Sequence, residues 1–525
     1  MSKSSFSLRR VLYTIMIFLF GMSSAFYLVK KQRATPNTYD KLRDVIYYID
    51  HYYVDSVNHE QLSESALRGL LEHLDPHSSY SNAEENKAQT EQLDGAFEGI
   101  GVQFNIMNDT IMVVAALAGG PSEKAGIKAG DRIVWVNDEK VADIGITNEQ
   151  VFKLLRGKKG TQVKVGILRP EINTIIHFDI IRDVIPTHSV TAAYMMQKET
   201  GYIKIDQFGA HTADEFGDAL RKLLHQGMKK LILDVRGNSG GYLEAAIKIT
   251  DQFLPKNALI LSIKGLHTKH EKFFSTGNAL FMDGELVVLI DEFSASASEI
   301  VAGAVQDNDR GTIIGRRSFG KGLVQRPFDF ADGSQVRLTV SRYYTPSGRC
   351  IQRDYKNGTN AYYDELIKRI TEEDDSLSTV ADPTTVEEYR TKSGRIVYGG
   401  GGITPDITVP HEKRIHSNDY YYALNNSALI QFAFNYANQN KSWLSNKYLS
   451  AEAFINKMEV SDNVLHNYLS FYAQKNTRAL PSLNAEESKT LKIWLKALIG
   501  RNLYQDEAFY PIINSMDDVI KQALK

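Results

Sequence analysis

At 525 residues the chain is too long for one hydrophobic core, and roughly three or four domains are expected. Hydrophobic residues at 43% and charged residues at 24% exclude a disordered or fibrous chain, and a formal charge of −2 gives no field favouring nucleic acid. The single cysteine, Cys350, excludes an intramolecular disulfide and any zinc site built on cysteines.

Residues 11–29, "VLYTIMIFLFGMSSAFYLV", carry no charge over 19 positions. As a helix they span about 28 Å, enough for the core of a bilayer. Lys3, Arg9 and Arg10 precede them, and Lys30, Lys31 and Arg33 follow. The first reading of residues 1–38 is an uncleaved signal anchor and its linker. The second is a signal segment cleaved near Ser23-Ser24-Ala25. Both export the rest of the chain, and the anchor would hold it to the membrane on the exported side.

Between 39 and 94, "YDKLRDVIYYIDHYYVD" and "SESALRGLLEHL" repeat apolar residues at helical spacing, and "DPHSSY" ends the second helix. Tyr47, Tyr48, Tyr52 and Tyr53 form an aromatic face, for packing within the chain or in a homodimer. From 95 to 183 the period changes to short strands, "GIGVQFNI", "TIMVVAAL", "DRIVWVN", "TQVKVGIL" and "TIIHFDII", interrupted by short helices at "PSEKAG" and "NEQVFKLLRG". From 184 to 410 strands and helices alternate, the sign of a partly parallel, buried sheet. Residues 411–525 are helical and aromatic and carry no chemical motif, so they read as a packing or dimer-forming extension. His267 and His270 in "HTKH" have no third ligand nearby and read as surface residues.

Two serines compete for the role of nucleophile. Ser239 in "LILDVRGNSGG" fits the G-x-S-x-G elbow between a strand and a helix; the same glycines also fit a tight turn whose amides face the top of the sheet. "DEFSASASEI", residues 291–300, offers three serines on alternate positions, and Ser296 with Glu299 also reads as a capping box. Downstream, "FGKGLVQ" presents Lys321 between two glycines with Gln325 four residues on. A lysine acts as a base only when neutral. Lowering its pKa by about three units costs roughly 4 kcal/mol, which apolar neighbours such as Phe319, Leu323 and Val324 are suited to impose.

"SASASEI" followed by "FGKGLVQ", with Lys321 25 positions after Ser296, resembles the C-terminal processing (tail-specific) peptidases. The likeness spans most of residues 39–410 and includes "LDPHSSY", "GGPSEKAGIKAGDRIVWVND", "LILDVRGNSGG", "RYYTPSGRCIQ" and "YGGGGITPDI". It implies a multidomain α+β chain: N-terminal helices, a PDZ-like β module, then a crotonase-like α/β protease core. The helical C-terminal extension is the departure from the minimal family pattern. By this resemblance Ser296 is the nucleophile, Lys321 the general base and Gln325 its orienter. An amide at Gly240 or Gly241 joins Ala297 N–H as the oxyanion hole. The PDZ-like module would take a substrate's C-terminus as an added strand along "EGIGVQF". Gly99, Ile100 and Gly101 would be the amide donors, Val102 would lie on the receiving edge, and Val151 and Leu155 would line the side-chain pocket. Arg156 reads either as a contact to the protease body or as a solvated charge. No cofactor or metal is implied, because lysine and backbone amides supply the chemistry.

The function implied is a serine endopeptidase acting on protein substrates bound by their C-termini. A homodimer and an adaptor or lipoprotein partner are compatible with this layout. The rival readings are an inactive PDZ scaffold or hydrophobic-ligand carrier on the same core fold, and an esterase using Ser239 with a histidine.

Overall fold

The computed structural model describes residues 13, 15–18, 21–22, 38–117, 119–169, 172–371, 387–411 and 416–525. Most of the expected anchor, 11–29, lies outside the described residues; among those described, no helix is long and apolar enough to cross a membrane. The chain divides into two compact units, 1–70 and 71–525.

In the first unit, helix α1 (Thr38–Tyr52) presents Tyr47, Tyr48 and Tyr52 as exposed side chains. Helix α2 (His59–Glu72) carries the chain across the division. The division falls within the helical region expected at 39–94. The residues beyond 70 belong with the second unit because strand β1 (Ser79–Ser81) is hydrogen-bonded into a sheet formed much later in the chain. Helix α3 (Ala83–Asp94) follows, started by a reciprocal Asn82–Glu85 capping box and stopped by Gly95 at φ 68°.

The β-rich module begins after β2 (Ala96–Gly99). Its elements are β3 (Val102–Ile106), β4 (Ile111–Ala116), α4 (Pro121–Ala125), β5 (Arg132–Val136), β6 (Glu139–Lys140), α5 (Asn148–Leu155), β7 (Gln162–Arg169) and β8 (Ile172–Ile181). The strands run antiparallel in the order β3-β4-β5-β7-β8, with β6 on β5, so β3 is an edge strand. Alternation in "TQVKVGIL" turns Val163, Val165 and Ile167 into a core that is fully buried. Strand β9 (Asp183–Pro186) pairs with β2, so the chain enters and leaves the module through one two-stranded ribbon.

The protease-like core holds β10 (Val190–Gln197), β11 (Thr200–Ile205), α6 (Thr212–His225), β12 (Lys230–Asp234), α7 (Leu243–Asp251), β13 (Leu259–Lys264), β14 (Glu271–Phe274) and β15 (Glu285–Ile290). It continues with α8 (Ala297–Asp307), β16 (Thr312–Gly315), β17 (Leu323–Asp329), β18 (Gln335–Tyr344), α9 (Gly358–Thr371), β19 (Glu388–Arg390), β20 (Ile396–Tyr398) and β21 (Ile407–Thr408). One sheet has the order β10-β11-β12-β15-β16-β21; only β10 and β11 are antiparallel. The other joins β1-β18-β13-β14, with β17 also on β18, all antiparallel. Leu231 to Leu233 and Leu286 to Ile290 are buried throughout, as continuous apolar runs in a two-sided parallel sheet must be. Helices α6, α7 and α8 cover one face of it.

The other face is covered from the extension, which contains α10 (Asn418–Leu424), α11 (Ser427–Gln439), α12 (Lys441–Lys447), α13 (Ala451–Lys457), α14 (Asp462–Asn476), α15 (Ala485–Tyr504), α16 (Asp506–Asn514) and α17 (Asp518–Ala523). These helices build a core of their own, and α17 sets Val519, Ile520 and Ala523 against Tyr202, Ile232 and Leu289 of the sheet. Phe434 of α11 is buried with Met107 and Met112 of the β-rich module.

Candidate active site

Parallel neighbours β12 and β15 end side by side, so the turns that follow them share the carboxyl edge of the sheet, where open α/β folds place their chemistry. The two turns are stitched together. Ser294 Oγ donates to Val235 O at 2.8 Å, Ser298 Oγ donates to Asn238 O at 2.8 Å, and Ala295 N–H donates to the same Asn238 O at 3.0 Å. Gly237 N–H donates to Asp291 Oδ1 at 2.9 Å. Ser294 and Ser298 are thus buried fasteners.

Between them stands Ser296, at the N-cap of α8, with φ 53° and ψ −109°. A non-glycine residue persists in that region only where its surroundings hold it there. The strained strand-to-helix turn that the sequence offered at Ser239 is built here instead, with serines at the positions where G-x-S-x-G carries glycines. Ser239 itself is exposed, and among the described residues no histidine is hydrogen-bonded to it.

Gly240 lies against this turn. A Cβ on it would stand 2.9 Å from Ala295 O and Ser296 Cβ and 3.1 Å from Ala297 N, at a φ of 106°. Gly241, at φ 144°, is pressed more closely still onto Phe208 O. The Gly240 N–H is already committed to Asn238 Oδ1 at 2.9 Å. Gly241 N–H and Ala297 N–H have no acceptor among the described residues.

The Lys321 loop is joined to the serine turn by Glu299. This fully buried carboxylate accepts Ser296 N–H at 2.9 Å and Lys321 N–H at 2.8 Å on Oε2. On Oε1 it accepts Gly320 N–H at 2.7 Å and the Ser318 hydroxyl. Three backbone N–H groups and a hydroxyl face it, a set that favours the carboxylate against the burial that raises its pKa. Phe319 N–H donates to Ser294 O at 3.0 Å, a second tie between the loops. Lys321 is held down to about 8, first by burial and then by the Arg337 charge, against the opposing pull of Glu299 and Asp75. Part of its surface stays open. No hydrogen bond joins Lys321 Nζ to Ser296 Oγ or to Gln325.

Gln325 instead donates from Nε2 to Thr339 Oγ1 at 3.3 Å, and Thr339 Oγ1 donates to Asp75 Oδ1 at 3.1 Å. Asp75, in "LDPHSSY", also accepts His77 N–H at 2.8 Å and the Ser78 hydroxyl at 2.6 Å. His77 Nε2 lies 3.0 Å from the Tyr362 hydroxyl, and burial together with the Lys321 charge lowers its pKa to about 4. The sequence reading gave Glu299 only a capping role and gave Asp75, Thr339 and Arg337 none. The motif "LDPHSSY" was the available signal for Asp75.

In the β-rich module, β3 with Val102 has a free edge, and Gly101 takes φ 72° before it. Gly99 forms a β-bridge with Arg156 at the end of α5. Val151 and Leu155, expected to line a pocket, are buried in the module's own core with Ile100. An inward helical face reads the same in sequence whether it lines a pocket or fills a core. The exposed aromatic on that helix is Phe152, edge-on to Phe104 at 5.5 Å. Arg156 reaches Glu91 Oε2 of α3 at 3.0 Å, a partner on the helix that precedes the module and not in the 184–410 core.

Residues 199–361 match Peptidase family S41, 112–169 match a PDZ domain, and 23–85 match the activating protease CtpB N-terminal domain. Residues 420–505 match a family of unknown function, DUF8443. The carboxy-terminal processing protease CtpB of Bacillus subtilis is 37% identical over 317 residues, 60% of this chain, which spans 65% of that relative's length. A carboxy-terminal-processing protease of Bartonella bacilliformis is 35% identical over 340 residues, 63% of this chain and 77% of the relative. Among solved structures, a photosystem II D1 C-terminal processing protease is 25% identical, covering 71% of this chain and 87% of that one with a TM-score of 0.37.

Proposed function

The chain belongs to the carboxy-terminal processing proteases, serine-type peptidases of family S41, and from that premise we propose that it is an endopeptidase working by a Ser296–Lys321 dyad on proteins held by their C-terminal tails. The observation that carries this reading is Glu299, which ties the backbone of a strained serine and of a lysine with a depressed pKa to one buried carboxylate.

Neutral Lys321 takes the proton as Ser296 Oγ attacks the peptide carbonyl. The oxyanion of the tetrahedral intermediate is received by Gly241 N–H and Ala297 N–H, neither of which has an acceptor among the described residues. The lysine then gives its proton to the leaving amine, and water, deprotonated by the same lysine, releases the acyl group. Gln325 acts through Thr339 and Asp75, keeping the lysine strand in register with the "LDPHSSY" segment.

The free edge of β3 and the positive-φ Gly101 support capture of a peptide tail as an added strand. Arg156, bridged to Gly99 and paired with Glu91, supports a link from an occupied groove to α3, whose Asp94 accepts the Tyr242 hydroxyl beside the oxyanion turn at 2.9 Å. Alignment of the lysine with the serine would then follow tail binding. The uncharged stretch 11–29 supports anchoring in the inner membrane with the catalytic unit in the periplasm, and the exposed tyrosine face of α1 supports a homodimer.

Incubation of the wild type, Ser296→Ala and Ser239→Ala with an unfolded protein tests the assignment. Cleavage abolished by Ser296→Ala alone supports it. Loss with Ser239→Ala alone indicates an esterase-like site, and no cleavage by any form indicates a binding protein.

A further inference from the structure

The turn that carries Gly241, one of the two proposed oxyanion donors, starts at Arg236, and Arg236 is gripped from two sides. Its Nε and Nη2 donate to Asp234 Oδ1 at 2.9 Å and Oδ2 at 2.6 Å, at the end of β12. Its Nη1 donates to Asp517 Oδ2 at 2.7 Å, 281 residues further along the chain. Its carbonyl accepts Lys204 Nζ at 2.8 Å. The next residues are Gly237, held by Asp291, and Asn238, which accepts two of the ties from the serine turn and fixes Gly240 through its own side chain.

Asp517 is itself well placed to hold. Its Oδ1 caps α17 by accepting Val519 N–H at 2.8 Å and Ile520 N–H at 3.2 Å, so the two carboxylate oxygens serve different partners. Helix α17 is seated by Val519, Ile520 and Ala523 against Ile232, Val287 and Leu289, the same two strands whose ends carry the site. The half-buried Arg236–Asp517 pair is charge-assisted at both ends and is therefore directional as well as attractive.

We infer that Asp517 is a positioning residue for catalysis: through Arg236 it fixes the turn that aims Gly241 N–H beside Ala297 N–H, which makes the last helix of the extension part of the catalytic apparatus. The inference rests on the dyad reading above. A displaced oxyanion donor weakens transition-state binding and leaves ground-state binding of the substrate alone, so the effect falls on kcat.

Asp517→Asn tests it, because asparagine keeps the helix cap while its amide nitrogen can replace the oxygen facing Arg236. The full chain is assayed on a peptide ending in a free carboxylate, with a thermal melt of every variant. The expected result is a fall in kcat of about 10-fold, below the 10²–10³ for complete loss of a donor. KM should stay within about twofold, and the pH profile should not move, since Lys321 is untouched. Asp517→Glu, which retains the charge, should recover at least a third of the rate, and Asp518→Asn on the exposed neighbour should have full activity. An Asp517→Asn rate within twofold of wild type overturns the inference, as does a rate loss matched by loss of folded protein or by a shifted pH profile. A wild type that cleaves nothing sinks the dyad reading and this inference with it, whereas a wild type matched by Asp517→Asn sinks the inference alone.

Discussion

Glu299→Gln separates the charge of the buried carboxylate from its shape. Oε1 faces Ser318 and Gly320, and Oε2 faces Ser296 and Lys321. A glutamine must turn its NH2 toward one of these pairs. The better choice leaves the oxygen on Ser296 and Lys321 and points the NH2 at Ser318, whose hydroxyl oxygen can accept. Gly320 N–H and the Ser318 hydroxyl hydrogen then both lose their acceptor. Two orphaned buried donors cost about 2–6 kcal/mol, which lowers the melting temperature by roughly 5–20 °C. Glu299→Ala orphans all four donors at roughly 4–12 kcal/mol, the size of a whole domain's stability, and should not fold. The charge has its own consequence. The Glu299 anion raises the Lys321 pKa, so glutamine lets it drop further, and the acid limb of the pH–rate profile moves to lower pH. Thermal melts and kcat/KM measured against pH read both effects. A glutamine variant as stable as wild type with an unmoved limb would refute the reasoning, and a limb moved to higher pH would reverse its sign.

The Arg337 charge lowers the Lys321 pKa, so Arg337→Gln should move the same limb to higher pH; an unmoved limb in that variant's profile would remove Arg337 from the site. Gly240→Ala places a methyl 2.9 Å from Ala295 O and Ser296 Cβ, and should cut kcat at least 100-fold in protein that still melts cooperatively. Near wild-type turnover would show that the turn can give way. A substrate with a free C-terminal carboxylate should be cut several-fold faster than the same chain amidated, because amides around Gly101 favour an anion; equal rates would end the tail-sensing reading and leave the dyad intact.

The buried sheet was legible because "LILDV" and "ELVVLI" are uninterrupted apolar runs, and the antiparallel module because "TQVKVGIL" alternates. The elbow was harder to place. G-x-S-x-G marks such a turn only when glycines relieve its crowding, and here Ser294 and Ser298 relieve it by bonding across to Val235 and Asn238, partners more than 50 positions away. Glu299 read as a cap because its local partner is three residues off, while its other donors lie 19 to 22 residues on, beyond any helical pattern. Spacing and the family resemblance put Gln325 beside the lysine; in the strand pairing it faces Thr339, which ties it to Asp75. The role of α17 was invisible for the same reason: amphipathic spacing shows that one face is buried and says nothing of which sheet receives it.

The most direct test of the Ser296–Lys321 assignment is the pH dependence of kcat/KM for the wild type from pH 5 to 10, which reports the ionisation of the free enzyme's base. With Lys321 at about 8, roughly a tenth of it is neutral at pH 7 and about nine-tenths at pH 9. The account therefore predicts a single rising limb centred near 8 and roughly a tenfold gain between those two values. A profile already level above pH 5 would contradict it, since that is the behaviour of a base held near 4, as His77 is.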